Sequence, residues 1–290
     1  MIPEISASKV AGLIGLHKYQ QSHEILYELL SKDKTTKERI VALEQLHGRR
    51  SFNAVLNDVL KDQPVLDCIS AGVAAANKTE DVTSVLAEVE EQAGLILALR
   101  RDAYTPEVRA QLVSEIRGQV SKQRGIRNEN AILDQYEIQR DVKVVERNTR
   151  TFRKDYGKFK LIGRTDGYVA SENRIVDSKD RTRFWPQVPL YDEIQLRCYM
   201  EMAGAAESEL IERFPNGEVR HTKFVNDPEK WRVLQEAIEK AVAKLNAALD
   251  DQEELKKIVF ANTVCIQSNG GDTAIRRSPR ISIQVPLAFK

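Results

Sequence analysis

Residues 158–181 read KFKLIGRTDGYVASENRIVDSKDR, and they alternate short apolar runs with turn residues such as Gly163 and Asn173. Runs this short that are rich in Val and Ile predict β-strands rather than helices. Strands are predicted at 140–147, 158–163, 167–170, 174–179, 208–214 and 219–225. Helical patterns cover 190–203 and 227–249. This order of elements predicts an α/β fold with a central mixed sheet flanked by helices.

The beginning of the chain predicts two short helices. Ser6 or Ser8 precedes the first apolar helical pattern and Ser22 precedes the second, and serine is a favoured N-cap residue. Gly15 is expected to end the first helix, because glycine readily adopts the left-handed conformation found there. Residues 5–30 are therefore interpreted as a helix, a turn and a helix.

A long helical region separates this start from the predicted sheet. From about residue 36 to residue 123, apolar residues recur at every third and fourth position, and Pro64 and Pro106 divide the region into several helices. Another helix is expected to end near Glu137. The predicted organisation is N-terminal helices of the main domain at 1–30, a helical insertion at 31–115, the α/β core at 116–260, and a C-terminal tail at 261–290 of loop with a strand near 281–285.

Composition narrows the possible classes of site. The three cysteines and four histidines are scattered without metal-binding spacing, so any bound metal should be held by oxygen ligands. No stretch resembles a membrane span or a signal peptide, so we expect a soluble, intracellular protein. The net charge of +1 decides little about nucleic-acid binding, because phosphate contacts depend on where basic residues cluster.

Three acidic residues and a lysine occupy places where predicted elements converge. Asp166 lies in a turn between two strands, and Asp177 and Lys179 lie near the end of the next strand. Side chains two residues apart on a strand point to the same face, so Asp177 and Lys179 should lie side by side. Glu129 lies on the helix before the sheet. These residues predict one compact acidic site with a lysine.

This set of residues suits hydrolysis of a phosphodiester. Mg²⁺, or Mn²⁺ in its place, prefers oxygen ligands, which Asp166, Asp177 and the carbonyl of Ser178 would supply. Glu129 would complete the shell of this metal or of a second one. Lys179 would orient the attacking water or stabilise the developing anion.

The order of these motifs resembles the PD-(D/E)XK nucleases. The resemblance lies in Gly125 and Glu129, then Asp166 and Gly167, then Asp177, Ser178 and Lys179. It implies a restriction-endonuclease-like core that hydrolyses DNA with Mg²⁺. It also assigns Glu129, Asp166 and Asp177 to metal binding and Lys179 to catalysis.

Two further motifs point to one branch of that superfamily. Gln195 and Tyr199 form a QxxxY pattern on the predicted helix, and the opening ISAS and GLxxY segments resemble YqaJ-like viral recombination nucleases. The branch also contains lambda exonuclease and RecB-type nucleases. It implies that Gln195 and Tyr199 contact the active-site water or a nucleotide, and that Ser8 contacts DNA. It further implies a viral or phage-type recombination, replication or repair role, with a single-strand annealing or other recombination protein as partner.

Basic residues are concentrated near the same motifs. Nine Lys and Arg residues lie within 140–164, and more flank Glu129 and follow Lys179. A DNA-backbone track beside the metal would use such residues. The predicted DNA contacts, besides Ser8, are Arg124, Arg127, Arg164, Arg181 and Arg183. In addition, Phe184 and Trp185 could stack on an unpaired base.

Alternative functions remain open. The resemblance favours an exonuclease. In lambda exonuclease and many YqaJ-like proteins, however, an arginine just before the opening serine motif contacts a 5′-phosphate, and this chain has Ile2 and Pro3 there. This difference supports a structure-selective or nicking endonuclease as the first alternative. A catalytically silent DNA-binding or scaffold protein with the same fold is a second alternative, and RNA as the substrate is a third.

Overall fold

The computed structural model describes residues 1–79, 81–99 and 103–265. Its α-helices are α1 (Ala7–Leu13), α2 (Ser22–Leu30), α3 (Lys34–Leu46), α4 (Phe52–Val59), α5 (Gln63–Ala76), α6 (Val82–Ala98), α7 (Pro106–Arg140), α8 (Leu190–Ala203), α9 (Pro228–Asp250) and α10 (Gln252–Asn262). Its strands are β1 (Glu4–Ser6), β2 (Arg49–Ser51), β3 (Thr151–Asp155), β4 (Lys160–Arg164), β5 (Gly167–Val169), β6 (Arg174–Asp180), β7 (Glu207–Arg213), β8 (Val219–Val225) and β9 (Thr263–Cys265).

The central sheet is mixed and has the order β5-β6-β7-β8. Strands β6 and β7 are parallel, whereas the β5/β6 and β7/β8 pairs are antiparallel. Parallel neighbours require a crossover, and α8 supplies it between β6 and β7. Helix α8 covers one face of the sheet over Ile175 and α7 covers the other over Val176, so both faces of β6 are buried, which explains its run of Ile and Val. The predicted α/β class and mixed central sheet are confirmed.

The hairpin before the central sheet differs from the prediction. Helix α7 continues to Arg140, and residues 140–147 do not form a strand, since Val145 makes only an isolated bridge to Tyr168. Asp141 and Glu146 have φ angles of 53° and 56°, which are incompatible with an extended strand. The partner of β4 is instead β3, and together with β1 these strands form a separate three-stranded sheet.

Helix ends follow the sequence signals in most places. Pro64 and Pro106 lie in the first turns of α5 and α7, where the missing N–H costs nothing, and Gly15, with φ of 77°, follows α1. The predicted cap at Ser22 is wrong. Gln21 is the N-cap residue of α2, and its backbone N–H donates to Glu24 Oε2 at 3.1 Å.

Packing divides the described chain into separate apolar cores. The largest joins α1, α2, α3, α8, α9 and α10 to the strands, and it includes Ile40 and Leu43 of α3. A second core, from Val55 to Val120, belongs to the helical region. The domain boundaries at residues 30 and 115 stay predictions. Within residues 1–79, 81–99 and 103–265, no helix combines the length and apolar content that a bilayer span requires.

The end of the described chain contains elements that the sequence did not predict. Helix α10 extends the helical pattern to Asn262, and β9 pairs antiparallel with β2 beside the helical region. Neither element was predicted for the C-terminal tail at 261–290. The predicted strand near 281–285 lies outside the described residues.

Candidate active site

The site lies at the carboxyl end of β6. Strand β5 pairs with β6 only as far as Val176, so the strand beyond that point is open on one edge. Asp177 and Lys179 project from this open end on the same face, and Asp177 Oδ2 lies 2.5 Å from Lys179 Nζ. The Asp177 side chain is only 2% exposed, so this ion pair is largely withdrawn from bulk water.

Asp166 reaches the same strand end from the turn between β4 and β5. Its Oδ2 accepts hydrogen bonds from the Ser178 backbone N–H at 2.8 Å and from the Ser178 hydroxyl at 3.3 Å. The N–H and C=O of one strand residue point to the same side, so the Ser178 carbonyl faces Asp166 as well. Two carboxylates, one carbonyl and one lysine therefore meet at the open end of β6.

The electrostatics of this group indicate an excess of negative charge. Burial and the neighbouring charge of Asp166 raise the pKa of Asp177 to about 7, although Lys179 lowers it in part. Burial also raises the pKa of Asp166, and the charge of Glu129 adds to this effect. Burial alone would lower the pKa of Lys179, but Asp177 and Asp166 outweigh it and raise that pKa. One lysine thus faces more carboxylate charge than it neutralises.

One atom of the group lacks a protein partner. Asp177 Oδ1 is buried and accepts no hydrogen bond. A buried carboxylate oxygen without a partner is costly unless a cation or donor occupies its free side. A hard divalent ion fits this oxygen, Asp166 and the Ser178 carbonyl by chemistry. Even so, among the described residues no three His, Cys, Asp or Glu side chains stand together as a metal-binding group.

Glu129 lies near Asp166, but its carboxylate faces Asn148. It projects from α7, and its carboxylate accepts a hydrogen bond from the side-chain amide of Asn148. The Asn148 backbone N–H donates to the Asp166 carbonyl at 3.2 Å. Asn148 has a φ of 52°, which asparagine tolerates better than most residues. It links two of the predicted acids, and the sequence analysis missed it.

Gln195 and Tyr199 lie together on α8, as their spacing predicts. Gln195 Nε2 donates to Tyr199 Oη at 2.8 Å. Burial raises the pKa of Tyr199, and the charge of Asp177 raises it further, so the phenol lies within the electric field of the site. The Tyr199 ring packs against Gly163 of β4, where an added Cβ would come within 2.4 Å of a ring carbon. Gly163 is therefore required for this contact.

Two of the predicted DNA contacts are structural instead. Arg124 is buried and pairs with Asp180, and its Nε donates to the Ala76 carbonyl at 3.2 Å. Arg181 is buried and donates to Glu212 and Asp192 at 2.8 Å and 2.7 Å. A guanidinium committed to buried carboxylates cannot also contact a phosphate, so both assignments are wrong.

The remaining predicted DNA contacts lie at the surface. Arg127, Arg164, Arg183 and Ser8 are exposed. Arg183 Nη2 donates to Tyr19 Oη at 2.7 Å, and Ser8 Oγ lies 3.0 Å from Ser6 Oγ. These side chains are accessible to a polyanion, and their role in DNA binding stays a prediction.

Asp180 joins the end of β6 to helix α7. Its Oδ2 lies 2.7 Å from Arg124 Nη1 and accepts from Asn128 Nδ2 at 2.8 Å, and its Oδ1 accepts from Arg213 Nε at 3.1 Å. Its side chain is almost fully buried. Asp180 follows Lys179 on β6, and Asn128 precedes Glu129 on α7. The contacts of Asp180 therefore hold β6 and α7 at a fixed distance near these two predicted site residues. This role was not visible in the sequence.

Asp180→Ala is expected to destabilise the fold by about 3–5 kcal/mol, because it leaves the Arg124 guanidinium buried without its carboxylate. Urea denaturation followed by circular dichroism measures the change. The matched control is Asp134→Ala, whose exposed pair with Arg147 should contribute at most about 1 kcal/mol. Equal effects of the two substitutions would contradict the assigned role of Asp180.

No protein-family model and no curated protein matches the chain. Similar solved structures include a phage-related exonuclease from Haemophilus somnus, 15% identical, with 48% of this chain and 72% of that chain covered and a TM-score of 0.35. The alkaline exonuclease LHK-Exo from Laribacter hongkongensis is 14% identical, with 56% and 91% covered and a TM-score of 0.39. At TM-scores below 0.5, this likeness establishes nothing about the reaction of this chain.

Proposed function

We propose that the chain is a metal-dependent nuclease that hydrolyses DNA phosphodiester bonds. The observation that carries this proposal is the open end of β6, where Asp177 pairs with Lys179 through one oxygen, its other oxygen is buried without a partner, and Asp166 binds the neighbouring Ser178. Carboxylates whose charge one lysine does not neutralise suit a divalent ion and a phosphate together. The motif order that resembles PD-(D/E)XK nucleases supports the same reaction.

Asp177, Asp166 and the Ser178 carbonyl would hold Mg²⁺ or Mn²⁺. When bound, such an ion polarises the phosphate and makes its water a stronger nucleophile. Lys179 remains protonated, because its pKa is raised, and its ammonium donates to a phosphoryl oxygen or orients the water. Glu129, held by Asn148, keeps further negative charge near Asp166 and would complete the shell of this ion or of a second one.

The exposed basic residues would hold the DNA backbone. Arg164 ends β4 just before the Asp166 turn, and Arg127 lies on α7 near Glu129. Both are exposed and close in sequence to the acidic group, so they flank it on two elements. Phosphate contacts of this kind are independent of base sequence and weaken as salt rises.

The proposal also concerns whether the protein cleaves DNA from an end or internally. The QxxxY pair and the opening motifs favour an exonuclease in viral or phage-type recombination, replication or repair, working with a partner such as a single-strand annealing protein. The structure-selective or nicking endonuclease stays a second candidate, because Ile2 and Pro3 stand where many members of the resembled branch have an arginine.

The test is incubation of the purified chain with end-labelled linear duplex DNA, single-stranded DNA, RNA and covalently closed circular DNA, with Mg²⁺ or with EDTA. We expect Mg²⁺-dependent loss of the linear DNA substrates and an intact circle. Nicking of the circle would select the endonuclease. Tight DNA binding without cleavage in Mg²⁺ or Mn²⁺ would show a silent binding protein and refute the proposal.

A further inference from the structure

Two loops beside the candidate site carry a cluster of aromatic and basic side chains, here called the aromatic platform. One loop joins α1 to α2 and the other follows β6. The platform consists of Lys18, Tyr19, Arg183, Phe184 and Trp185. Among the residues that the structure describes, Tyr19 and Phe184 are the aromatic side chains that are mostly exposed, at 55% and 56%, and both lie in this cluster.

Four of the platform side chains contact one another, and the fifth, Phe184, packs against Phe214, with ring centroids 5.0 Å apart. The Arg183 guanidinium carbon lies 4.3 Å from the centroid of the Trp185 ring, and Lys18 Nζ lies 5.5 Å from that centroid. Arg183 also donates to the Tyr19 hydroxyl at 2.7 Å. Aromatic rings and guanidinium planes in such a stack offer flat faces to a base, and the cations attract phosphates.

Buried ion pairs hold the second loop in place. Glu212 of β7 is fully buried and accepts hydrogen bonds from Arg181 at 2.8 Å and Arg220 at 2.7 Å. Arg220 also donates to the backbone carbonyls of Trp185 and Pro186 at 2.7 Å and 3.1 Å. The backbone that carries the exposed rings is therefore anchored. A rigid surface loses little entropy when it binds a ligand.

The platform lies close to the candidate catalytic residues. Arg183 follows Lys179 by four positions, so an extended chain places their Cα atoms at most about 14 Å apart. The loop after α1 also packs on the first turn of α8, where the ring centroids of His17 and Tyr191 are 4.3 Å apart. A strand that occupies the acidic site would thus pass the platform within a few nucleotides.

We propose that the aromatic platform stacks the unpaired bases of single-stranded DNA next to the acidic site. This inference rests on the proposed function, because it takes the DNA strand to continue from the site onto these loops. Duplex DNA does not fit, since its base faces are already covered by neighbouring bases, whereas every unpaired base offers a free face. The platform makes single-stranded DNA, or a frayed end, the preferred substrate.

The chain contains two tryptophans, Trp185 in the platform and Trp231 in the main core, where it is 8% exposed. This allows a direct test by tryptophan fluorescence in EDTA, where no metal-dependent cleavage occurs. A single-stranded oligonucleotide should quench the emission of the wild type and of Trp231→Phe. Trp185→Phe should abolish this quenching, and a blunt duplex of the same sequence should quench far less.

Phe184→Ala should weaken single-strand binding by about tenfold, as expected for the loss of one stacked base. The matched control, Ile138→Ala, removes an apolar side chain that is 83% exposed on α7 and should leave binding unchanged. The proposed role of the platform would be contradicted if duplex and single-stranded DNA quenched the tryptophan emission equally. It would also be contradicted if Trp185 emission stayed unquenched at saturating DNA.

Different results would contradict the proposed role of the platform and the proposed nuclease function. If no metal supports cleavage but single strands still quench Trp185, the nuclease proposal fails and the platform stands as a binding surface. If cleavage depends on Lys179 while Trp185 stays unquenched, the platform fails alone.

Discussion

Lys179→Ala should lower the rate of Mg²⁺-dependent DNA cleavage by about a hundredfold to a thousandfold, the usual effect of removing one donor that stabilises developing charge. The Lys179 ammonium is the cation that the structure places among Asp177, Asp166 and Asp192. In the proposed mechanism, its loss removes the donor to the phosphoryl oxygen or water and leaves the proposed DNA-backbone contacts in place. Single-turnover cleavage of an end-labelled substrate measures the effect on the chemical step.

The control for this substitution is Lys257→Ala. Lys257 is 65% exposed, and its ion pair with Glu254 lies on the surface of α10. The control should keep the wild-type cleavage rate, and both variants should keep their helical circular dichroism and their affinity for DNA in EDTA. If the Lys179→Ala protein is folded and cleaves at the wild-type rate, Lys179 takes no part in the reaction.

Asp177→Asn should abolish metal-dependent cleavage and also change how stability depends on pH and metal. Folding raises the pKa of Asp177 to about 7 from 3.8, so the folded protein holds this proton more tightly than the unfolded chain. The contribution of Asp177 to the stability of the metal-free wild type should therefore be fully present below its unfolded pKa and be lost as pH rises through about 7. Relative to Asp177→Asn, the fall should be on the order of a few kcal/mol.

Thermal unfolding in EDTA across this pH range measures the difference between the two proteins. Adding Mg²⁺ at neutral pH should raise the Tm of the wild type and leave that of Asp177→Asn unchanged, because an ion that binds the folded state stabilises it. Asp134→Asn, at an exposed position on α7, is the control and should behave as the wild type. A Tm that rises equally in all three proteins would place the ion elsewhere.

The parts of the fold that follow from periodicity could be predicted from sequence. Helix α8 was predicted at its observed bounds, because an apolar helical pattern lies between Pro189 and Gly204, which adopts the left-handed conformation after the helix. Asp177 and Lys179 were placed side by side because side chains alternate along a strand. Both conclusions require only local geometry.

The errors have a common physical origin, since they depend on contacts between distant parts of the chain. Strand β3 was missed because Phe152 is its one buried residue, and pairing with β4 decides its conformation. Arg124 and Arg181 were taken for DNA contacts because a sequence shows charge but not burial. Their acidic partners, Asp180 and Glu212, become neighbours only after folding.

Helix α7 has a consequence for how the molecule can be divided. Its first half packs in the core of the helical region through Leu112, Ile116 and Val120, and its second half packs under the central sheet through Leu133. Arg124, between the two halves, is bonded to the last turn of α5 and paired with Asp180. The helical region is therefore not a separable domain, because excising it would cut one continuous helix about 50 Å long and remove the Ala76 carbonyl that accepts a hydrogen bond from the buried Arg124.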